Sequence, residues 1–175
     1  RVSGSQFEES EYTVKLEGAA FMGYRSQVFG GITDPVILRD FDAWFETAKE
    51  GGYASALRTY GQEIMDQCTI QYRVYGRNAV APSQQSPETE PEEVAVLLLV
   101  VGPTQEIASS VAYQIGHSIL HFPVPRWQGL VSNLAFPVAP HVTDLGPVYS
   151  FVLNHAVELE EPCEFFPMTL EDVTS

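Results

Sequence analysis

The stretch Val94-Ala95-Val96-Leu97-Leu98-Leu99-Val100-Val101 decides the fold of this chain. It has the length of a strand, it is rich in β-branched residues, and Gly102-Pro103 follows it. An uninterrupted apolar run of this length is typical of a strand buried on both faces. After Thr104, a helix-capping residue, apolar side chains recur every three or four positions, at Ile107, Ala108, Val111, Ala112, Ile115 and Ile119. The sequence therefore predicts a strand, a tight turn and a helix packed on the sheet.

Upstream of this unit, residues 12–16 alternate between apolar and polar, which predicts a half-buried strand. A second strand is expected over residues 20–29. Asp34-Pro35 combines a capping carboxylate with a proline at the first helical position, so a helix should begin there. We expect that helix to end at Gly51-Gly52 and a short helix to follow over residues 53–65.

Alternation returns over residues 68–75, which predicts another strand with Arg73 on the side away from the core. Residues 82–93 are rich in proline and acid and should form a solvated loop. Residues 122–147 show no periodicity, and a connection of this length is often functional. With a last strand over residues 149–158, the order is ββα(α)ββαβ. This order favours an α+β fold with a mixed or mainly antiparallel sheet and two to three helices on one face.

Length and composition favour one domain with a substantial core, because the chain has 175 residues, of which 45% are hydrophobic. We assign residues 12–168 to that domain, residues 1–11 to an acidic linker or tail, and residues 169–175 to a C-terminal tail. The formal net charge of −14 makes nucleic acid and anionic membranes poor partners, because both require clustered cations. Against this acidic background Arg25, Arg73 and Arg77 stand out as carboxylate-binding forks, although most arginines make ion pairs.

Two cysteines, Cys68 and Cys163, do not make a disulfide framework, and the sequence has no secretory or membrane-length apolar run. We therefore expect a reducing, cytoplasmic setting. The chain begins with Arg1 instead of Met, which suggests a fragment, a processed product or one piece of a larger polypeptide.

Motifs for common cofactors and hydrolases are missing from the sequence: it has no dinucleotide loop, no phosphate loop and no nucleophile elbow. No cofactor is therefore expected. His117 and His121 have the four-residue spacing that can place two imidazoles on one metal, but no local acid completes the pattern. We expect no metal there and interpret the two histidines as a packed or exposed pair.

Anion-binding groups are predicted at two places. Gln105 and Glu106 lie in the first turn of the central helix, where free N–H groups favour anions, although Glu106 can equally serve as a cap. Arg73, Arg77 and Asn78 lie at a strand end and would suit a carboxylate or thioester oxygen if they converge; surface ion pairing is the alternative.

The proline-rich connection and its end contribute Asn133, His141 and Asp144, of which a histidine near a carboxylate would titrate close to neutrality. Each of these residues alone is more often structural.

Nine segments, in order along nearly the whole chain, resemble the C-terminal part of the acyclic terpene utilisation proteins of the AtuA type. They are YTVKLEG at 12–18, GYR at 23–25, GGITDP at 30–35, RVYGRN at 73–78, TQE at 104–106, LHFP at 120–123, SNLAFP at 132–137, GPVY at 146–149 and PCEFFP at 162–167. The chain departs from the family pattern at residues 78–82, where Asn-Ala-Val-Ala-Pro stands in place of Asn-Gly-Val-Met-Gly.

The resemblance implies a role in the catabolism of branched acyclic terpenoids such as citronellol, through acyl-CoA thioesters. Members usually carry a preceding α/β portion, and a small accessory subunit accompanies some of them. We therefore expect an α/β partner chain or a missing N-terminal domain, and hydratase- or lyase-type acid–base chemistry on an acyl-CoA or carboxylate. The changed glycines and the missing portion leave room for a non-catalytic assembly subunit.

The resulting site hypothesis is that the strand end and the helix start share one site. The substrate-binding residues would be Arg25, Arg73, Arg77, Asn78, Gln105 and Asn133, and the catalytic residues His121 and Glu106. Strand ends and helix starts meet at one edge of an α+β layer, so residues distant in sequence can share a site there. A guanidinium, an amide and helix N–H groups would together bind the substrate oxygen.

Overall fold

A computed structural model describes residues 3–77, 79–80, 91–127, 129–161 and 163–171. These residues form β1 (Tyr12–Ile32), α1 (Pro35–Arg39), α2 (Phe41–Tyr60), α3 (Gln62–Met65), β2 (Thr69–Tyr75), β3 (Val94–Gly102), α4 (Gln105–Leu120) and β4 (Val142–Leu159). The strands make one sheet in the order β2-β3-β1-β4, and β3 pairs antiparallel with both β1 and β2. The predicted α+β class is confirmed. Most of the predicted loop at residues 82–93 lies outside the described residues.

The chain divides into two compact units. The central unit comprises residues 21–148, and the terminal unit comprises residues 1–20 together with 149–175. In the terminal unit the first part of β1 lies beside the last part of β4, so that a Cβ on Gly18 would be 3.2 Å from Cβ of Leu153. Among the described residues, no helix is both long enough and apolar enough to cross a membrane.

The core of the central unit lies between the sheet and helices α2 and α4. The even-numbered residues of β3, from Val94 to Gly102, are buried, and so are Ser26 and Val28 of β1. Helix α4 approaches β1 closely, since a Cβ on Gly116 would be 3.1 Å from Val28. Helix α2 lies beside α4, and the Phe45 ring meets the Tyr72 ring of β2 edge-to-face at 5.6 Å.

The helix starts agree with the sequence expectations. Asp34 Oδ1 accepts hydrogen bonds from the backbone N–H groups of Val36 at 2.7 Å and Ile37 at 3.3 Å, with Pro35 at the first helical position. Thr104 Oγ1 accepts from Ile107 N–H at the start of α4. Both caps satisfy donors that a helix end leaves open, which explains why these boundaries were readable from the sequence.

Two predicted boundaries were wrong. The strands expected over residues 12–16 and 20–29 are one continuous strand, β1, because no chain-reversing turn separates them. The helix expected to stop at Gly51-Gly52 instead continues to Tyr60. The two glycines serve packing: a Cβ on Gly51 would lie 2.8 Å from the Phe122 ring, and one on Gly52 would lie 3.1 Å from Ile115. They let neighbouring groups approach the helix.

The last strand also begins earlier than expected, at Val142, and the irregular connection is correspondingly shorter. Within that connection, Ala135 pairs with Gly31 through two backbone hydrogen bonds of 2.8 and 2.9 Å. The Trp44 indole of α2 donates to Pro123 O at 3.0 Å. These contacts hold the connection against β1 and α2.

The sheet is covered unequally. Helices α2 and α4 pack on the even-numbered residues of the three strands β1, β2 and β3 in the central unit. The opposite face consists of the odd-numbered positions 25–31, 69–75 and 95–101, and we call it the open sheet face. Its residues are half-buried or exposed, and the odd-numbered residues of β3 are half-buried. The expectation that β3 is buried on both faces therefore holds for one face only.

Candidate functional site

Gln105 is part of a polar network that joins the start of α4 to β1 and β4. Its side-chain amide donates to Ser26 Oγ at 2.7 Å and to Arg25 O at 3.1 Å. Ser26, which is fully buried, donates to Asp144 Oδ1 at 2.8 Å, and Ser109 Oγ lies 2.5 Å from the same oxygen. No described histidine contacts either hydroxyl, and the group that accepts from both of them is the carboxylate of Asp144. The contacts of this network hold three elements together.

Sequence reasoning found two members of this network, Gln105 and Asp144, and missed the two serines. A signal for Ser26 was available, because it occupies a core-facing position in the alternation of β1, where a polar side chain requires partners. Ser109 lies one turn after Gln105 on α4 and gives no comparable signal.

The expected convergence of strand end and helix start is wrong. Arg73 pairs with Leu97, in the middle of β3, whereas α4 begins beyond Gly102. The five intervening residues span about 17 Å at strand spacing. Because β2 and β3 are antiparallel, the end of β2 lies beside the start of β3. Gln105 follows the opposite end of β3. Arg73 is exposed on the open sheet face, as its place in the alternation predicted. Asn78 lies outside the described residues.

Arg77 follows the end of β2 and contacts residues of α1 and α2. Its Nη2 donates to Leu38 O at 3.2 Å, and Nη1 lies 3.7 Å from Asp42 Oδ2. The guanidinium also lies 5.4 Å from the centre of the Phe41 ring. These contacts match the ion-pairing alternative. Arg25 differs in making no ion pair with a described residue, and its buried Nε has no hydrogen-bond partner among these residues.

The two predicted catalytic residues lie at opposite ends of α4. Glu106 is exposed in the first turn, and His121 is the residue that ends the helix. Fifteen residues at helical rise separate them by about 23 Å. They cannot both act on one small substrate within this chain, and their assignment to one site is wrong.

His121 is nevertheless held in a defined orientation. Its Nδ1 lies 2.6 Å from Val131 O, a contact that requires the proton on Nδ1 and leaves Nε2 as an acceptor. The His117 ring meets the His121 ring edge-to-face at 4.7 Å, and Tyr113 stacks on His117 at 5.6 Å. His141 lies 5.2 Å from Tyr113, which extends the row of rings.

These imidazoles stack on rings and do not converge on a point, and the described residues contain no group of three or more metal-ligating side chains that could hold an ion. We expect the double variant His117→Gln and His121→Gln to carry the same amount of metal as the unaltered protein. Elemental analysis of both purified proteins checks this. Stoichiometric zinc or manganese that disappears only in the double variant would contradict it.

Asn133 clamps the end of α4 to the connection that follows. It is 8% exposed, and its backbone N–H donates to Leu120 O at 2.8 Å. Its side-chain Nδ2 donates to Phe122 O at 2.7 Å and to Ile119 O at 3.2 Å. The carbonyls of Ile119 and Leu120 belong to the last turn of the helix, where no further turn supplies N–H donors, and Phe122 follows that turn. Asn133 also lines a cleft.

A cleft of about 900 Å³ lies between the β1–α1 turn and the proline-rich connection. Its walls include Asp34, Val36, Arg39, Asp40, Arg126, Trp127, Leu130, Val131 and Asn133. Sequence reasoning named only Asn133 of these residues as a site residue. The missed residues belong to short loops that carry no periodicity, and only the length of the connection pointed to them.

Two guanidiniums face no internal partner at this cleft: Arg39 and Arg126 make no hydrogen bond or ion pair with a described residue. Arg126 also has a φ of 66°, a conformation that non-glycine residues rarely adopt and that is often found at functional sites. Of the two carboxylates present, Asp34 is engaged at the start of α1, and Asp40 remains. Hydrogen bonds from neutral N–H groups leave the charge of Asp34 in place, so the two arginines and the two carboxylates of the lining balance in formal charge.

Burial raises the pKa of the Cys68 thiol, so this cysteine favours its neutral form. Cys163 is exposed in the terminal unit, and neither cysteine is in a disulfide. Neither residue lines the cleft.

Comparisons of the chain with protein-family models, with curated protein sequences and with solved structures found no match.

Proposed function

We propose that this protein is the C-terminal domain, or a separate subunit, of an AtuA-like enzyme that acts on an acyl-CoA or carboxylate substrate in acyclic terpenoid or related branched-acid metabolism. The nine sequence segments in family order support the family. One structural observation supports the ligand class: Arg39 and Arg126, without internal partners, stand in the wall of a cleft that also presents apolar side chains.

The cleft has two kinds of surface, which suit the two ends of such a ligand. A guanidinium presents paired N–H donors that match the two oxygens of a carboxylate, or the oxygens of a phosphate. Trp127 and Leu130 are 64% and 83% exposed, so they offer apolar surface that a branched hydrocarbon chain would cover. The volume falls within the range of small-molecule sites.

Of the two predicted catalytic residues, His121 is the one that lies beside this cleft. Its ring bonds to Val131 O, and Val131 lines the cleft, so the bond fixes the imidazole next to the wall with Nε2 as the basic atom. Hydratase- and lyase-type reactions move a proton next to a carbonyl group, which is a task that an imidazole can perform as general base or general acid. Glu106 is too far away to share this task.

The cleft predicts a specific pattern of ligand binding. Citronellate should bind, and Arg39→Gln or Arg126→Gln should weaken it about tenfold or more because one carboxylate-binding fork is lost. Citronellol has the same branched chain without the charge, so its weaker binding should not change in these variants. Titration calorimetry with citronellate, its CoA thioester and citronellol measures all three.

Arg58→Gln is the matched control, because Arg58 is an exposed arginine in the last turn of α2 that does not line the cleft. It should leave every affinity unchanged. Thermal melts must agree among all three variants, since none of the substituted side chains is buried. The proposal fails if neither citronellate nor the thioester binds, or if both cleft variants bind them as well as the unaltered protein does.

A second candidate function is a non-catalytic assembly subunit. The separation of Glu106 from His121, and of Arg73 from Gln105, favours it, because this chain does not bring its predicted catalytic set together. The two candidates differ in one property: an enzyme part needs the ligand cleft, whereas an assembly subunit needs only a docking surface.

A further inference from the structure

The open sheet face is more apolar than a solvent-exposed face of a sheet usually is. Ala95, Leu97, Leu99 and Val101 form an aliphatic ridge along β3, between β1 on one side and β2 on the other. A solvated face of an antiparallel sheet usually carries polar residues in alternation with the buried ones, whereas a strand that is apolar throughout is typical of burial on both faces. Strand β3 has the second pattern, yet only its even-numbered residues are covered by helices.

The charges on this face also differ from those of the whole chain. The face has twelve positions, and none of them is Asp or Glu, although the chain carries 23 acidic residues against 9 basic ones. The face has two charged residues, Arg25 and Arg73, and both are cations. Apolar content together with positive charge selects a partner that is apolar and negatively charged.

The register fixes where the two cations stand. Arg25 lies opposite Val101 on one flank of the ridge, and Arg73 lies opposite Leu97 on the other flank. Four residues along the strands and two strand spacings across the sheet place their Cα atoms roughly 17 Å apart. Neither arginine makes an ion pair with a described residue, and the buried Nε of Arg25 has no hydrogen-bond partner among them.

We propose that the open sheet face docks a layer of a different protein chain or domain, which presents aliphatic side chains to the ridge and carboxylates to Arg25 and Arg73. Packing a second layer on the ridge buries β3 on both faces, as its sequence pattern requires. Two carboxylates at matching positions would pair with the arginines and fix the register of docking. The inference rests on the assembly part of the proposed function and is independent of the ligand cleft.

A second copy of this chain is a poorer occupant. A symmetric pairing of the same face would bring the Arg25 and Arg73 residues of both copies into one interface that contains no carboxylate. Like charges in a partly desolvated interface repel each other, which costs affinity. The chemistry of the face therefore favours a different, acidic surface.

The first experiment identifies the occupant in cells of the source organism. A photo-crosslinking phenylalanine analogue replaces Gln71, an exposed residue of the open sheet face, and in a control protein replaces Thr59, an exposed residue of α2. Gln71 should yield one discrete product that Thr59 does not, and the crosslinked peptide should contain Asp or Glu beside aliphatic residues. A product with a second copy only, or no product specific to Gln71, overturns the proposal.

The second experiment tests the charges with the purified partner. Arg73→Glu should weaken its binding about tenfold or more, and changing the partner carboxylate nearest the crosslink to Lys should restore it. Arg58→Glu, on the outer surface of α2, is the control and should change nothing. Equal partner affinity in Arg73→Glu and the unaltered chain, or a lack of rescue, overturns the proposal.

Citronellate titration of the same Arg73→Glu protein separates this proposal from the ligand site. Arg73 does not line the cleft, so the citronellate affinity should stay as it is in the unaltered chain. Loss of partner binding with intact citronellate binding supports the docking surface, whatever the fate of the cleft. Intact partner binding overturns the docking surface and leaves the cleft standing.

Discussion

Replacing Gly23 with alanine should lower the free energy of unfolding by about 3–5 kcal/mol, combining the cost of backbone strain with that of overpacking. Gly23 is a buried residue of β1 with a φ of 126°, which residues other than glycine rarely adopt. A Cβ at this position would lie 2.5 Å from the carbonyl oxygen of Gly102 and 3.1 Å from Val101 Cγ1. The first contact is to backbone, so no side-chain rotation relieves it.

Gly61→Ala is the matched control for this effect. Gly61 also has a positive φ, of 77°, but a Cβ there has no neighbour within 4 Å. Its substitution should therefore show the backbone strain alone, about 1 kcal/mol. For a chain of this size the Gly23 variant should melt roughly 6–20 °C lower than the unaltered protein. Equal melting temperatures for the two variants in calorimetry would mean that β1 relaxes around the added methyl.

The glycines of this chain show which parts of the fold sequence reasoning can reach. A glycine pair after a periodic helix is usually a stop signal, and Gly51-Gly52 was interpreted in that way. The structure uses both residues to bring α2 against Phe122 and Ile115, two residues that lie more than 60 positions downstream. A close approach between distant elements leaves no local signature, so the sequence alone predicts a helix end at a point where the helix continues.

Local signals, by contrast, predicted their elements well. The capping side chains of Asp34 and Thr104 are two or three residues from the groups they satisfy, and both helices start where these residues indicate. The apolar run of β3 likewise gave the strand and its neighbour α4 almost to the residue. Propensity, capping and periodicity are all determined within one element.

The candidate site was predicted less well for a related reason. Grouping Arg73 with Gln105 required the direction of β2 relative to β3, and the sequence does not state how two strands pair. The cleft residues Arg39 and Arg126 belong to segments without periodicity, so nothing local distinguished them from other surface arginines. Asn133 was named because it lies in the long proline-rich connection, and the structure gives it a structural role that this position alone does not indicate.

Asn133→Asp hardly changes the size of the side chain, yet it should lower the free energy of unfolding by about 3–5 kcal/mol. The change replaces the Nδ2 donor by an acceptor that faces the carbonyl oxygens of Ile119 and Phe122, and it places a charge at a position only 8% exposed. Asn133→Ala removes the same donor without adding charge and should cost about 1–3 kcal/mol. Asn154→Asp, at an exposed asparagine of β4, should cost almost nothing.

Acid should partly rescue the Asn133→Asp protein. Burial would raise the pKa of the new carboxyl above its unfolded value, so its ionisation destabilises the folded state at neutral pH. Below the unfolded pKa the group is neutral in both states, and the penalty of charge disappears. Denaturant titrations in neutral and mildly acidic buffer should therefore show the deficit against the unaltered protein shrinking on acidification, with no such change for Asn133→Ala. A pH-independent deficit would mean that the carboxylate reaches water through the cleft.

The Asn133 variants also distinguish two roles for this residue: holding the end of α4, or binding the ligand directly. If Asn133 acts through the end of α4, Asn133→Ala should lose stability and citronellate affinity together, and the affinity should recover on cooling as the folded arrangement is restored. If its side chain instead binds the ligand, the citronellate affinity should fall while the melting temperature remains equal to that of the unaltered chain. The three hydrogen bonds that Asn133 donates to carbonyls around the end of α4 favour the first outcome.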